Sequence, residues 1–472
     1  MTAEPAAAPC ERTATAMIAG YGDGSLSPVE VVAGCVERIE RLNGALAAIC
    51  WWDGERAIAD ARASEARWRS GTPVGPLDGV PVTIKDFFDV RGWPTRRGAA
   101  ALADAPPAAG DAPAVARLRE AGAIILGKTS ATELGHKASG ISSLSGIVRN
   151  PWNPGWSAGG SSCGAAVAAA TGMAPLNLGS DAAGSIRVPA SFCGVYGHKP
   201  SGGLVPAFPP SAFGPVAVQG PLTRDVADAR LMLEIMAQPD QRDWLGQPPG
   251  ARPLDGRAIP DVAALRLVTA PGINGCVVEG AAHDAFEAAI AALEAAGAAV
   301  TRTTIAVEDL LAWFHTVWHT AVAAGAHHLP PAVVARLEPT LVAMIERGRR
   351  ISAVEHTMAQ LFFADLAQRL RRLVGDAHGL LLPTLPFAAF AADAEHPGAA
   401  PAEGWLAWDE TCFVFNATLM PASSVPVGFL ADGRPTAVQI AGPRWSDGTV
   451  MNAAELVRRV LPAPTLAPAP VA

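Results

Sequence analysis

The sequence predicts a layered α/β fold, and three observations point to it. The 472 residues are 50% hydrophobic and only 17% charged, which is enough apolar material for a large core and excludes disorder, collagen and coiled coil. Twice, a helical stretch of small and apolar residues gives way at a glycine to a short buried strand, the repeating step of such a fold. The chain also closes on a hairpin pattern followed by an amphipathic helix. No Pro/Ser/Gly linker long enough to separate folding units interrupts it, and no repeat period stands out, so residues 1–472 read as a single domain.

The elements follow in order. Ser27-Pro28-Val29-Glu30 sets a capping hydroxyl, a first-turn proline and a reciprocal glutamate ahead of an amphipathic run to Leu42, and a second helix fits Glu55 to Arg69. From about 76 to 221 the texture changes to Gly, Pro, Ser and small residues, with short apolar strands at Gly79–Ile84 and Ala123–Leu126. Pro113–Glu120 is helical, Gly122 ends it, and Cys163–Thr171 with Ala174–Leu178 repeats the step. The stretch from about 223 to 379 is mainly helical, at 224–237, 283–296, 307–324 and 353–374, with strands near 265–270, 298–304 and 380–383. Strands at 424–429 and 436–440 flank the Asp432-Gly433 turn, a helix covers 447–460, and the Ala/Pro tail beyond Leu461 is expected to fray.

The charge balance of −8, with no basic run, offers no footprint for nucleic acid or an anionic membrane. The seven cysteines (10, 35, 50, 163, 193, 276 and 412) are scattered and never paired as Cys-x-x-Cys, so they read as reduced core thiols of a cytoplasmic protein. Met1–Gly20 shows no secretory pattern, and the apolar segments fall short of a bilayer span.

Three motif matches fail on context. Gly122-Ala-Ile-Ile-Leu-Gly127-Lys128-Thr129 spells a phosphate loop, but the residues between its glycines are themselves the strand that should precede such a loop. Gly160-Ser161-Ser162-Cys163-Gly164 spells a nucleophile elbow, but Asn150-Pro-Trp-Asn-Pro-Gly-Trp before it cannot be the buried strand the elbow needs. His315 and His319 share a helix face without the glutamate of a zinc protease or a third ligand, so no metal site is expected.

What remains is Gly79-Val-Pro-Val-Thr-Ile-Lys85-Asp86, Ala158-Gly-Gly-Ser161-Ser162-Cys163-Gly164 and Gly179-Ser-Asp181-Ala-Ala-Gly184-Ser185-Ile-Arg187-Val-Pro189-Ala190. In these segments the chain resembles the amidase signature family, with 24 positions between Ser161 and Ser185 and 76 between Lys85 and Ser161. The resemblance continues through Ile125–Thr129 with Glu133, Asn150-Pro151-Trp152, His198–Gly202, Phe415-Asn416 and 421–442, and is weakest between about 223 and 379. It implies an α/β/α domain with a mixed, twisted central sheet, and cleavage of a small linear amide to an acid and ammonia or an amine.

The residues argue in the same direction. Amide hydrolysis benefits from a nucleophile, a proton shuttle and oxyanion donors in one dry site. The small residues before Ser185 let backbone N–H groups crowd around one oxygen. Lys85 ends an apolar strand, where burial disfavours its ammonium. The resemblance then implies Ser185 as nucleophile, Ser161 as proton relay after a cis Gly160–Ser161 bond, and neutral Lys85 as base. It also implies an oxyanion hole from the amides of Ala182, Ala183, Gly184 and Ser185, and no metal or cofactor. Ser161 and Ser162 also stand where a helix cap would, and for Ser162 capping or loop hydrogen bonding is the better reading. Asp181 and Arg187 are expected to brace the loop from outside it. Alanines at 182 and 183, where relatives carry Gly or Thr, narrow the backbone angles of that loop. A homodimer is the default expectation. The alternative function is a glutaminase-type subunit of a tRNA-dependent amidotransferase, since Asp409, seven residues before Asn416, stands where such subunits hold glutamine's amino group.

Overall fold

The computed structural model describes residues 8–246, 254–275, 278–398, 404–461 and 466–467. Helices α1 (Ala14–Asp23) and α2 (Pro28–Leu46), strand β1 (Ile49–Trp52) and helix α3 (Gly54–Arg69) lead to β2 (Pro81–Lys85). Next come α4 (Pro113–Glu120), β3 (Ile124–Thr129), a small hairpin of β4 (Ile141–Ser142) and β5 (Gly146–Ile147), α5 (Cys163–Thr171), β6 (Leu176–Asp181), α6 (Arg187–Cys193), β7 (Tyr196–Lys199) and β8 (Val218–Thr223). Then follow α7 (Val226–Met236), β9 (Arg266–Thr269), α8 (Gly280–Ala295), β10 (Ala299–Arg302), α9 (Leu310–Ala326), α10 (Pro331–Val334), α11 (Pro339–Gly348) and α12 (Ala353–Val374). The chain ends on β11 (Gly379–Pro383), α13 (Glu410–Ala417), β12 (Ala422–Phe429), β13 (Pro435–Ala441) and α14 (Asp447–Val460).

Eleven strands make one mixed sheet in the order β1-β3-β2-β6-β8-β7-β12-β13-β11-β9-β10. β3, β2 and β6 run parallel, as do β11, β9 and β10, and an antiparallel run through β8, β7, β12 and β13 joins the two blocks. Parallel neighbours need long crossovers, which is where the helices lie. One apolar cluster packs α1 to α5, α7, α8 and α14 against the sheet. A second joins α9, α12 and α13 to Ala183, Val188 and Phe192 beside the nucleophile position expected from sequence.

This arrangement places the site. β2 and β6 are parallel neighbours, with Ile84 opposite Leu178, so Lys85 and the loop after Asp181 emerge at the same carboxyl edge of the sheet. In open α/β sheets that edge is where ligands bind.

The expected helices and strands are present, several with the expected bounds. At α2 the Ser27 hydroxyl accepts from the Val29 amide at 3.0 Å and Glu30 accepts from the Ser27 amide at 3.1 Å. The would-be phosphate loop is strand β3, buried throughout, with Lys128 held by Asp86 at 3.0 Å. The elements missing from the sequence reading are those whose patterns are masked. α13 is buried on nearly every side and shows no polar face. β8 runs between two other strands yet contains Pro221, which ordinarily argues against an interior strand; the β7 pairing reaches only Thr223 and Leu222, so it does not call on that residue. α1, β1, β4, β5, α6, β7, α10 and α11 also have no counterpart among the elements expected from sequence.

Cys10, Cys35, Cys50, Cys163, Cys193 and Cys412 are free thiols; Cys276, and most of the tail beyond Leu461, lie outside the described residues. Among the described residues no helix is long and apolar enough to cross a membrane.

Candidate active site

Strand β2 is buried at all five positions, so its last residue, Lys85, is carried into the interior. There Nζ lies 2.7 Å from Ser161 Oγ, 2.9 Å from Ser162 Oγ and 2.9 Å from Ser180 Oγ, with the Phe87 ring centroid 4.5 Å away. Burial pushes its pKa from 10.5 down to about 7, against a weaker upward pull from Cys163 and Asp181. A large fraction of this lysine is therefore neutral amine at neutral pH.

The two serine segments meet along their backbones. The Gly160–Ser161 bond is cis, and the Ser162 amide donates to the Ser185 carbonyl at 3.1 Å. Among the described residues no hydrogen bond joins the Ser161 and Ser185 hydroxyls. Ser162 stands at the start of α5 but its side chain caps nothing. Its hydroxyl donates to the Ser180 carbonyl at 3.0 Å and accepts from the Ser180 amide at 3.2 Å.

The loop Ala182–Ser185 is shaped from behind by Asp181. This carboxylate accepts from the Gly184 amide at 2.7 Å and the Ile186 amide at 3.0 Å, and two nitrogens of Arg187 reach it at 3.0 Å each. One of the four amides expected as oxyanion donors is engaged elsewhere. The Gly184 N–H is committed to Asp181, while no described residue accepts from the amides of Ala182, Ala183 or Ser185. Gly184 has φ of +88°, and a Cβ there would lie 2.9 Å from both Cys412 Cβ and Val188 Cγ2.

Asp181 and Arg187 form a fully buried ion pair. Burial works to raise the Asp181 carboxyl, but the Arg187 guanidinium and the Ile186 amide outweigh it and hold the group well below the usual carboxylate range. Arg187 also donates to Gln439 Oε1 and Asn416 Oδ1, each at 2.6 Å, and to the Cys412 carbonyl at 2.9 Å, while Asn416 Nδ2 returns to Asp181 at 2.9 Å. Both residues thus sit behind the loop, and Asn416 and Gln439 join them. Asn416 and Gln439 stood in matching motifs, but nothing in the sequence tied them to Arg187 more than 225 positions away.

Asp409 is fully buried beside Gly184, and among the described residues neither carboxyl oxygen has a hydrogen-bond partner. The neighbouring Cys412 thiol turns instead to the Thr384 carbonyl at 3.4 Å. Burial drives the Asp409 carboxyl well above its ordinary value, only partly opposed by Arg187.

Two other constellations are set apart from these groups. Ser423, His198 and Asp447 form a hydrogen-bonded chain, 2.9 Å from Ser423 Oγ to Nδ1 and 3.2 Å from Nε2 to Asp447, but all three are fully buried with no room for a substrate. His315 and His319 stack at 5.1 Å and line a cavity of about 250 Å³ with His136, Arg347 and Trp405. Among the described residues no three His, Cys, Asp or Glu side chains group as metal ligands.

Known proteins share this arrangement of the chain. A family model described as Amidase matches residues 30–451. An acylamidase of Rhodococcus erythropolis is 35% identical over 457 residues, 95% of each chain. A glutamyl-tRNA(Gln) amidotransferase subunit from Symbiobacterium thermophilum is 32% identical, covering 93% of this chain and 94% of its own. Among solved structures, a bacterial aryl acylamidase of the amidase signature family superposes with a TM-score of 0.86 at 27% identity, over 96% of each chain.

Proposed function

We propose, from the premise that this chain belongs to the amidase family, also called the amidase signature family, that it hydrolyses the C–N bond of a small carboxamide through an acyl-enzyme on Ser185. The observation that carries this reading is the 2.7 Å contact between a desolvated Lys85 and Ser161. A neutral amine can take the Ser161 proton while Ser161 takes the proton of Ser185. The Ser185 oxygen then attacks the amide carbonyl. The amides of Ala182, Ala183 and Ser185 receive the oxyanion, each such donor lowering the barrier by about 3 kcal/mol. On collapse the C–N bond breaks and Ser161 returns a proton to the departing nitrogen, releasing ammonia or an amine. Water, deprotonated along the same route, attacks the ester and frees the acid and Ser185.

The test is a panel of aliphatic, aryl and peptide amides assayed for amine or ammonia release, with intact-mass measurement of the quenched enzyme. An adduct equal to the acyl group, absent in Ser185→Ala, supports the reading. Turnover that survives Ser185→Ala overturns it.

A second reading is favoured by Asp409. Its carboxyl, buried, without a hydrogen-bond partner among the described residues and 3.1 Å from where a Gly184 Cβ would stand, would suit an amino group as partner. Glutamine carries one, and the glutamyl-tRNA(Gln) amidotransferase relative aligns along nearly the whole chain. Glutaminase activity that requires an added partner protein would move the assignment to this reading.

A further inference from the structure

We infer that Ser180, together with Ser162, completes a tripod of hydroxyls around Lys85 that accepts the ammonium formed when the amine takes the Ser161 proton. This rests on Lys85 being the base.

The argument is one of hydrogen-bond valence. A neutral amine has two N–H donors and one lone pair, whereas three hydroxyl oxygens lie within 2.9 Å of Nζ. Ser162 has its single hydrogen on the Ser180 carbonyl and already accepts from the Ser180 amide, so it can only accept from Lys85. One N–H is settled in this way. The other N–H and the lone pair remain for Ser161 and Ser180. If Ser180 accepts, the lone pair faces the Ser161 proton and the relay is primed. If Ser180 donates, it occupies the lone pair and the relay is blocked.

Proton transfer removes that ambiguity. The ammonium has three donors, and three oxygens are already in place around it. The hydrogen that moves breaks its bond to Ser161 Oγ and forms one to Nζ, and Ser161 takes the hydrogen of Ser185 in the same event, so protons balance. Ser180 is therefore a positioning residue that favours the proton-bearing form of Lys85 in a site where little else does. The titratable groups facing Nζ are Cys163 from α5 and Asp181 from the end of β6, and Asp181 is already matched by Arg187. Lys85 is the one hydrogen-bond partner of the Ser180 hydroxyl among the described residues. Ser180 is also only half-buried at the end of β6, so losing its hydroxyl leaves the core intact.

The experiment compares pH profiles of kcat and kcat/KM for the parent, Ser180→Ala and Ser180→Thr, on whichever amide the panel finds. With one ammonium acceptor gone, Ser180→Ala should show a plateau kcat lower by roughly tenfold and an acid limb moved to lower pH by about half a unit or more, with KM little changed. Ser180→Thr, which keeps the hydroxyl, should restore both. A parental midpoint in Ser180→Ala, or equal damage in the alanine and threonine variants, would overturn the inference. Lys85→Met separates the two levels. If it retains turnover, the catalytic reading itself fails. If it is inactive while Ser180→Ala behaves as the parent, only the tripod fails.

Discussion

Lys85 Nζ lies 2.7 Å from Ser161 Oγ with both side chains shut off from solvent. In the proposed mechanism Lys85 must be unprotonated to act as base, and burial lowers its pKa to about 7. The active fraction therefore rises with pH, from about one tenth at pH 6 to about nine tenths at pH 8. kcat/KM should be half-maximal near neutrality and flat above it until other groups titrate. A profile peaking below pH 6 would exclude Lys85 as the base.

Removing either end of the relay should abolish turnover without unfolding the protein. Ser185→Ala and Lys85→Met are each expected to lower kcat by roughly 10⁴-fold or more. Lys85→Met exchanges a buried amine for an apolar chain of similar length, so its thermal midpoint should equal or exceed that of the parent. Steady-state assays beside thermal melts separate lost chemistry from lost fold.

Gly184→Ala probes the oxyanion loop. Its positive φ and the 2.9 Å approach to Cys412 and Val188 leave no space for a methyl group. Forcing one in should cost about 1–3 kcal/mol of stability and displace the amides of its neighbours, lowering kcat by about 10²-fold or more with a smaller change in KM. An alanine variant with parental kcat would show that the loop geometry does not matter to the rate.

The pair Asp181–Arg187 should behave as a buried charge pair broken from one side. Arg187→Met leaves Asp181 ionised without its guanidinium and should destabilise the protein by about 3–5 kcal/mol in denaturant titrations. The cost should exceed that of Asp181→Asn/Arg187→Met together, because the double variant leaves no lone charge.

Asp409 gives a pH-dependent stability signature. Its folded pKa is raised, so the native state holds a proton that the unfolded chain releases above its ordinary carboxyl range. Stability from this group is thus present at low pH and lost as pH rises through the folded pKa. Asp409→Asn, which has nothing to release, should gain stability relative to the parent at pH 8 and show little advantage near pH 4. An advantage that shrinks with rising pH would mean the carboxyl is ionised in the native state.

Much of this was legible in the sequence because it depends on local patterns. The capping box at Ser27, the glycine-ended step into β3, and the closing hairpin are each set within a few residues, where backbone preference and alternation act. Lys85, Ser161 and Ser185 stand out in the sequence because their spacing forms a motif, and the apolar run around Lys85 foretells its burial. α13 and β8 were missed for the opposite reason. A helix with no polar side and a strand bearing a proline carry no periodic sign of what they are.

The sequence by itself determined the residue types, the secondary elements with two faces, and the dry setting of a lysine at a strand end. Only the tertiary structure decided that Ser180 reaches Lys85 and that Arg187 gathers Asn416 and Gln439. Those contacts arise from strands neighbouring in the sheet but distant in the chain, or from side-chain rotamers selected by close packing. Hydrogen-bond partners at such separations are chosen by geometry in three dimensions, and no local pattern encodes it.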